Sequence, residues 1–92
     1  MSEPRILLER HVVHIGNVDV GIANVMTDTY VLPDGTTAEG VTAELIPRLE
    51  DEGNPHYTVG RGSVITVGGV QLEVLDVIEG PRGTGRVIVR DL

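Results

Sequence analysis

Ser63-Val64-Ile65-Thr66-Val67-Gly68-Gly69-Val70-Gln71-Leu72-Glu73-Val74 is the stretch on which the fold turns. Apolar and polar residues alternate on both sides of Gly68-Gly69, the spacing of a strand with one buried face. Two glycines between valines suit a tight hairpin turn, because such turns need positive φ and glycine adopts it without steric cost. Pairing Val67 with Val70 places Ile65 opposite Leu72 and Ser63 opposite Val74. One face then carries Ile65, Val67, Val70, Leu72 and Val74, while Thr66, Gln71 and Glu73 point away.

The same logic applies upstream. Ile15-Gly16-Asn17-Val18 is a second hairpin signal, and pairing Ile15 with Val18 puts Val13 opposite Val20, His11 opposite Ile22 and His14 opposite Asp19. Val13, Ile15, Val18, Val20 and Ile22 share an apolar face. Carried farther, this register pairs Leu8 with Val25 and Ile6 with Thr27 on the other face. The buried side would thus switch along the ribbon, which a bend at Gly21 between two sheets would achieve. Leu32-Pro33-Asp34-Gly35 reads as a third turn, with Pro33 supplying φ near −65°. Gly60-Arg61-Gly62 reads as a turn entering a strand at Val64. Glu79 to Gly85 reads as a flexible loop before a last strand over Arg86–Arg90, with Val87 and Val89 on one face and Ile88 on the other.

Thr42 to Gly53 is ambiguous. Leu45, Ile46 and Leu49 have helical spacing, but Pro47 would break such a helix at a cost of about 3 kcal/mol. Val41, Ala43 and Leu45 alternate, so we read a strand over 40–46 and an acidic loop after Pro47. Together these readings give one all-β domain over residues 1–92, a small antiparallel β-barrel or two-layer β-sandwich of about six to eight strands with little or no helix.

Ninety-two residues suffice for one modest core. It must be aliphatic, because the chain holds 15 Val, 7 Ile and 8 Leu against 2 Tyr and no Phe or Trp. The net charge is −7, and residues 1–52 carry 3 Arg against 10 acids while residues 53–92 balance. Without a basic cluster or stacking aromatics the composition argues against nucleic acid as a partner, and the same charge argues against an anionic membrane. The apolar run Ile6-Leu7-Leu8 is too short for a signal peptide or a membrane span, so the expectation is a cytoplasmic protein. Zero Cys excludes disulfides and thiolate chemistry. All seven basic residues are Arg, which coding bias in a high-GC genome explains.

No group of residues carries a catalytic pattern. His11 and His14 form an HxxH spacing, but on a strand the two rings point to opposite faces and cannot share an ion; His56 has no assignable place beside them. His14 and Asp19 are cross-strand neighbours, placed for a surface ion pair. Gly80-Pro81-Arg82-Gly83-Thr84-Gly85 has the glycines of a phosphate loop, but a strand follows it and Pro81 removes a donor, so it reads as a hairpin connection. Asp28, Asp34 and Glu39 lack calcium-loop spacing, Glu50-Asp51-Glu52 reads as a solvated acidic patch, and Ser63 lacks a nucleophile context. The sequence therefore yields no catalytic residue, no cofactor-binding residue, no metal ligand and no cofactor.

The span Tyr57 to Val77, with Arg10-His11-Val12-Val13 and Val20-Gly21-Ile22-Ala23-Asn24-Val25, is similar to a family of small all-β proteins from high-GC soil bacteria. The resemblance covers about half the chain and implies an all-β fold, but carries over no site residue. The leading functional expectation is a non-enzymatic binding or assembly module that contacts a protein partner, or a second copy as a homodimer, through a sheet edge or face. The alternative is a small barrel that encloses an apolar small molecule or shapes it for a cyclisation, with His11 and Tyr57 as its polar handles.

Overall fold

The computed structural model describes residues 3–48 and 55–92. Eight strands occupy most of them: β1 (Arg5–Leu8), β2 (Val12–Ile15), β3 (Val18–Val31), β4 (Thr37–Pro47), β5 (Tyr57–Gly60), β6 (Val64–Val67), β7 (Val70–Ile78) and β8 (Arg86–Asp91). They form two antiparallel sheets with orders β1-β8-β7-β6 and β2-β3-β4-β5. The architecture is the two-layer one, with no closed hydrogen-bonded barrel among the described residues.

Both glycine hairpins take the expected registers. Ile15 pairs with Val18, Val13 with Val20 and His14 with Asp19, while Val67 pairs with Val70 and Ile65 with Leu72. Gly16 has φ +59°, and Gly68 and Gly69 have φ +59° and +81°, the conformations of type II′ and type I′ turns. The apolar faces meet between the sheets. Ile15, Val20, Ile22, Ala43, Leu45 and Val59 of one sheet bury against Leu7, Val67, Leu72, Val74, Val77, Val87 and Val89 of the other. Leu32-Pro33-Asp34-Gly35 also turns as expected: the Gly35 N–H donates to the Leu32 carbonyl at 2.9 Å.

Two expectations fail at the start of the chain. Leu8 does not pair with Val25, nor Ile6 with Thr27. Leu8 pairs with Arg86 and Ile6 with Ile88, because β1 leaves the ribbon and becomes the edge of the opposite sheet. The bend is not at Gly21, which sits in regular pairing with Val12 and Ile46. It lies at Leu8-Glu9-Arg10-His11, where the His11 N–H donates to the Leu8 carbonyl at 3.2 Å and Arg10 takes φ +68°. An equivalent turn joins β5 to β6: the Ser63 N–H donates to the Gly60 carbonyl at 3.0 Å, with Gly62 at φ +92°. The chain thus switches sheets at both of these turns, as happens at the corners of strongly crossed sheets.

The ambiguous segment is strand throughout its described part. β4 runs through Pro47, which pairs with Val20; a strand end tolerates a residue that cannot donate. The acidic loop read after Pro47 falls largely on residues 49–54, outside the described residues. The loop read as flexible before β8 contains a tight turn, Pro81–Gly83. No helix among the described residues is long and apolar enough to cross a membrane.

Candidate functional site: the uncovered edge of β3

β3 is 14 residues long, whereas β2 beside it pairs only with Val18 to Gly21. With β1 committed to the other sheet, the far half of β3 has β4 on one side and, among the described residues, no strand on the other. Asn24 at φ +50° and a register shift between Ala23 and Met26 start this second half. Such a bulge bends the strand and re-aims it.

Alternation decides which groups face outward. The Leu32 N–H points to Thr36 across the β3–β4 hairpin, so the even-numbered residues face β4 and the N–H groups of Val25, Thr27, Thr29 and Val31 face the uncovered side. Side chains reach two of them. The Val25 N–H donates to Glu9 Oε2 at 3.2 Å, and the Thr29 N–H donates to the carboxylate of the preceding Asp28 at 2.7 Å. Thr27 Oγ1 donates to Glu79 Oε1 at 3.1 Å. The open edge therefore runs from Thr27 to Val31. It is flanked by two exposed apolar side chains, Met26 and Val31, the latter 63% accessible.

This edge is also the acidic side of the molecule. Residues 11–47, which build β2 to β4, contain Asp19, Asp28, Asp34, Glu39 and Glu44 and no Arg or Lys. Asp34 is held below the ordinary carboxylate value by hydrogen bonds from the Thr36 hydroxyl and then the Thr36 N–H. Behind the edge, the β3–β4 hairpin is stiffened by Tyr30. Its hydroxyl donates to the Arg61 carbonyl at 2.8 Å, and its ring occupies the space a side chain at residue 60 would need. Among the described residues β4 likewise has no strand partner on its far side from Thr37 to Val41, because β5 pairs only with Thr42 to Leu45. The outermost strands β1, β2, β5 and β6 are only four residues each. Short edges offer little template for pairing.

The residues singled out by sequence scatter. His14 Nδ1 lies 3.0 Å from Asp19 and His56 Nδ1 lies 2.8 Å from Glu44, both at the surface. His11 is exposed at the β1–β2 corner, although the Ile22 N–H does donate to its carbonyl at 3.1 Å. Tyr57 is on the β5 edge. Neither His11 nor Tyr57 faces the aliphatic interior, so the two polar handles of an apolar cavity are not there. No three His, Asp or Glu side chains among the described residues converge on one point. Ser63 is buried and accepts the Gly60 N–H, a structural role. Glu9 and Asp28, which reach backbone N–H groups of β3, carry no motif that marks them in the sequence, and only the tertiary path of β1 reveals the first.

No family model matches the chain, and neither a curated protein nor a solved structure matches it.

Proposed function

We propose that this protein is a non-enzymatic binding module that takes up an extended segment of a partner protein along the uncovered edge of β3. The supporting observation is the mismatch in strand lengths: β3 continues ten residues past Gly21, where pairing with β2 stops. An added strand would find the outward N–H groups of Thr27 and Val31, and that of Thr29 in exchange for its bond to the Asp28 carboxylate, with Met26 and Val31 as apolar contacts.

Charge selects the partner. The β3–β4 hairpin carries Asp28, Asp34 and Glu39 and no Arg or Lys of its own, so a segment with alternating Lys or Arg is attracted. A second copy would bring the same acids against themselves, and like charges across a strand pair are destabilising. The reading is thus a basic partner segment, not a homodimer.

The test is hydrogen exchange and amide chemical shifts during titration with a short synthetic peptide alternating Lys and Val. Protection should rise most at Thr27 and Val31, since the Thr29 N–H already meets the Asp28 carboxylate. Thr27→Pro removes an outward donor that the sheet does not use, so it should leave the fold intact and abolish the effect. A peptide response spread over other edges, or unchanged in Thr27→Pro, would refute the reading, as would a dimer by light scattering.

A further inference from the structure

A half-open cleft of about 310 Å³ lies at the β1–β2 corner, beside Val25 at the start of the β3 edge, and shares no residue with the open stretch Thr27 to Val31. Its lining includes Glu9, Arg10 and His11 from the corner and Arg82, Gly83 and Thr84 from the β7–β8 turn. The volume is at the small end for ligand sites.

The lining of this cleft sets two arginines against one acid within a chain of net charge −7, and three features bear on it. First, neither Arg10 nor Arg82 has an acidic partner within ion-pair distance among the described residues, a state they share with Arg48, Arg61 and Arg86, but only these two meet in this cleft. Second, the one acid in the lining, Glu9, stays charged but turns its oxygens to the backbone. Glu9 Oε1 accepts the Gly85 N–H at 3.0 Å and Oε2 accepts the Val25 N–H at 3.2 Å, so its carboxylate serves the backbone. Third, the Arg10 guanidinium is seated over Gly83. A Cβ there would lie 2.7 Å from Nε and 2.9 Å from Cζ, so the head rests directly on the backbone of a residue that its φ of +75° already reserves for glycine.

The backbone adds an independent argument. Arg10 holds φ +68° at the third residue of its turn; the equivalent position in the β5–β6 corner is Gly62. Arg82 holds φ +57° at the second residue of the turn closed by the Thr84 N–H on the Pro81 carbonyl. Both positions favour Gly or Asn. A bulky side chain in the left-handed region is strained, and such residues collect at ligand sites. At both places the sequence carries the residue whose planar fork best recognises an oxyanion.

We propose that Arg10 and Arg82 bind a small phosphate-bearing molecule in this cleft, with the His11 ring as an additional polar contact. The class is a compact phosphate monoester or pyrophosphate. A nucleic-acid backbone is disfavoured by the acidic remainder of the molecule.

The experiment titrates the whole chain with inorganic phosphate, pyrophosphate and citrate at constant ionic strength, reading amide shifts by NMR. Saturable shifts are expected at Arg10, His11, Gly83 and Thr84, tighter for pyrophosphate than for citrate. Arg10→Gly and Arg82→Gly should each weaken pyrophosphate binding by about tenfold or more, as loss of a charge-assisted contact entails. The same two variants report on stability. If the arginines are kept for a ligand, glycine relieves the backbone and the urea midpoint stays or rises. A lowered midpoint with unchanged pyrophosphate affinity would assign them a structural role and overturn the proposal. So would a response matched by chloride, or none at millimolar pyrophosphate. Tighter binding of citrate than pyrophosphate would overturn the phosphate class.

Discussion

The Asn17 N–H donates to the Gly68 carbonyl at 3.3 Å, joining the tips of two hairpins that belong to different sheets. Gly16 and Gly68 approach so closely there that a Cβ on either would overlap the backbone of the other hairpin. This contact closes one end of the sandwich. Gly68→Ala should therefore cost more than Gly69→Ala, although both residues have positive φ. At Gly69 nothing lies within 4 Å, so only the left-handed conformation is penalised, by about 1–2 kcal/mol. At Gly68 the overlap adds to it, for a total of about 3 kcal/mol or more. Urea midpoints of the two variants measure the difference.

Tyr30 and Gly60 make a similar pair. A side chain at residue 60 would fall inside the Tyr30 ring, so Gly60→Ala should displace the ring and lower stability by about 1–3 kcal/mol. Tyr30→Phe keeps the ring and removes only the hydrogen bond to the Arg61 carbonyl. Its cost should be smaller, about 1 kcal/mol. Thermal unfolding of the two variants should rank them in that order.

Glu9 bridges the sheets with one carboxylate: one oxygen takes the Val25 N–H of β3, the other the Gly85 N–H at the entry to β8. Glu9→Gln leaves a single acceptor for two donors. One of the Val25 and Gly85 amides should then exchange faster with deuterium, and the fold should lose about 1–3 kcal/mol.

Asp34 provides a pH-dependent contribution. Its carboxyl sits below the ordinary value because Thr36 donates twice to it. The stabilisation is complete above the unfolded-state carboxylate range and is lost as pH falls through the lower folded value. Thr36→Val removes the hydroxyl donor and should raise the Asp34 midpoint toward its ordinary value, as a carboxyl carbon NMR titration would register.

Much of the core is legible in the sequence, because a two-residue turn pins side-chain parity on both of its strands. Ile15 and Val18, or Val67 and Val70, need only their own turn to pair, and from them follow Val20, Ile22, Leu72 and Val74 as inward positions. The candidate edge and the cleft are not legible there. Both arise from where β1 goes. Extending the hairpin register from Ile15 puts Leu8 beside Val25, whereas the chain turns at Arg10, a residue that no turn rule would place in the left-handed region. Likewise, Arg82 and Arg10 are 72 positions apart, and nothing local couples them.

By itself, then, the sequence determined the aliphatic β core, the hairpin registers and the acidic bias of residues 11–47. These rest on interactions between near neighbours, on turn chemistry and on side-chain alternation. The sheet orders, the bare side of β3 and the meeting of two arginines around Gly83 were decided only by the tertiary structure. They depend on which distant strands share a core, and that choice minimises exposed apolar surface over the whole molecule and not along any one segment.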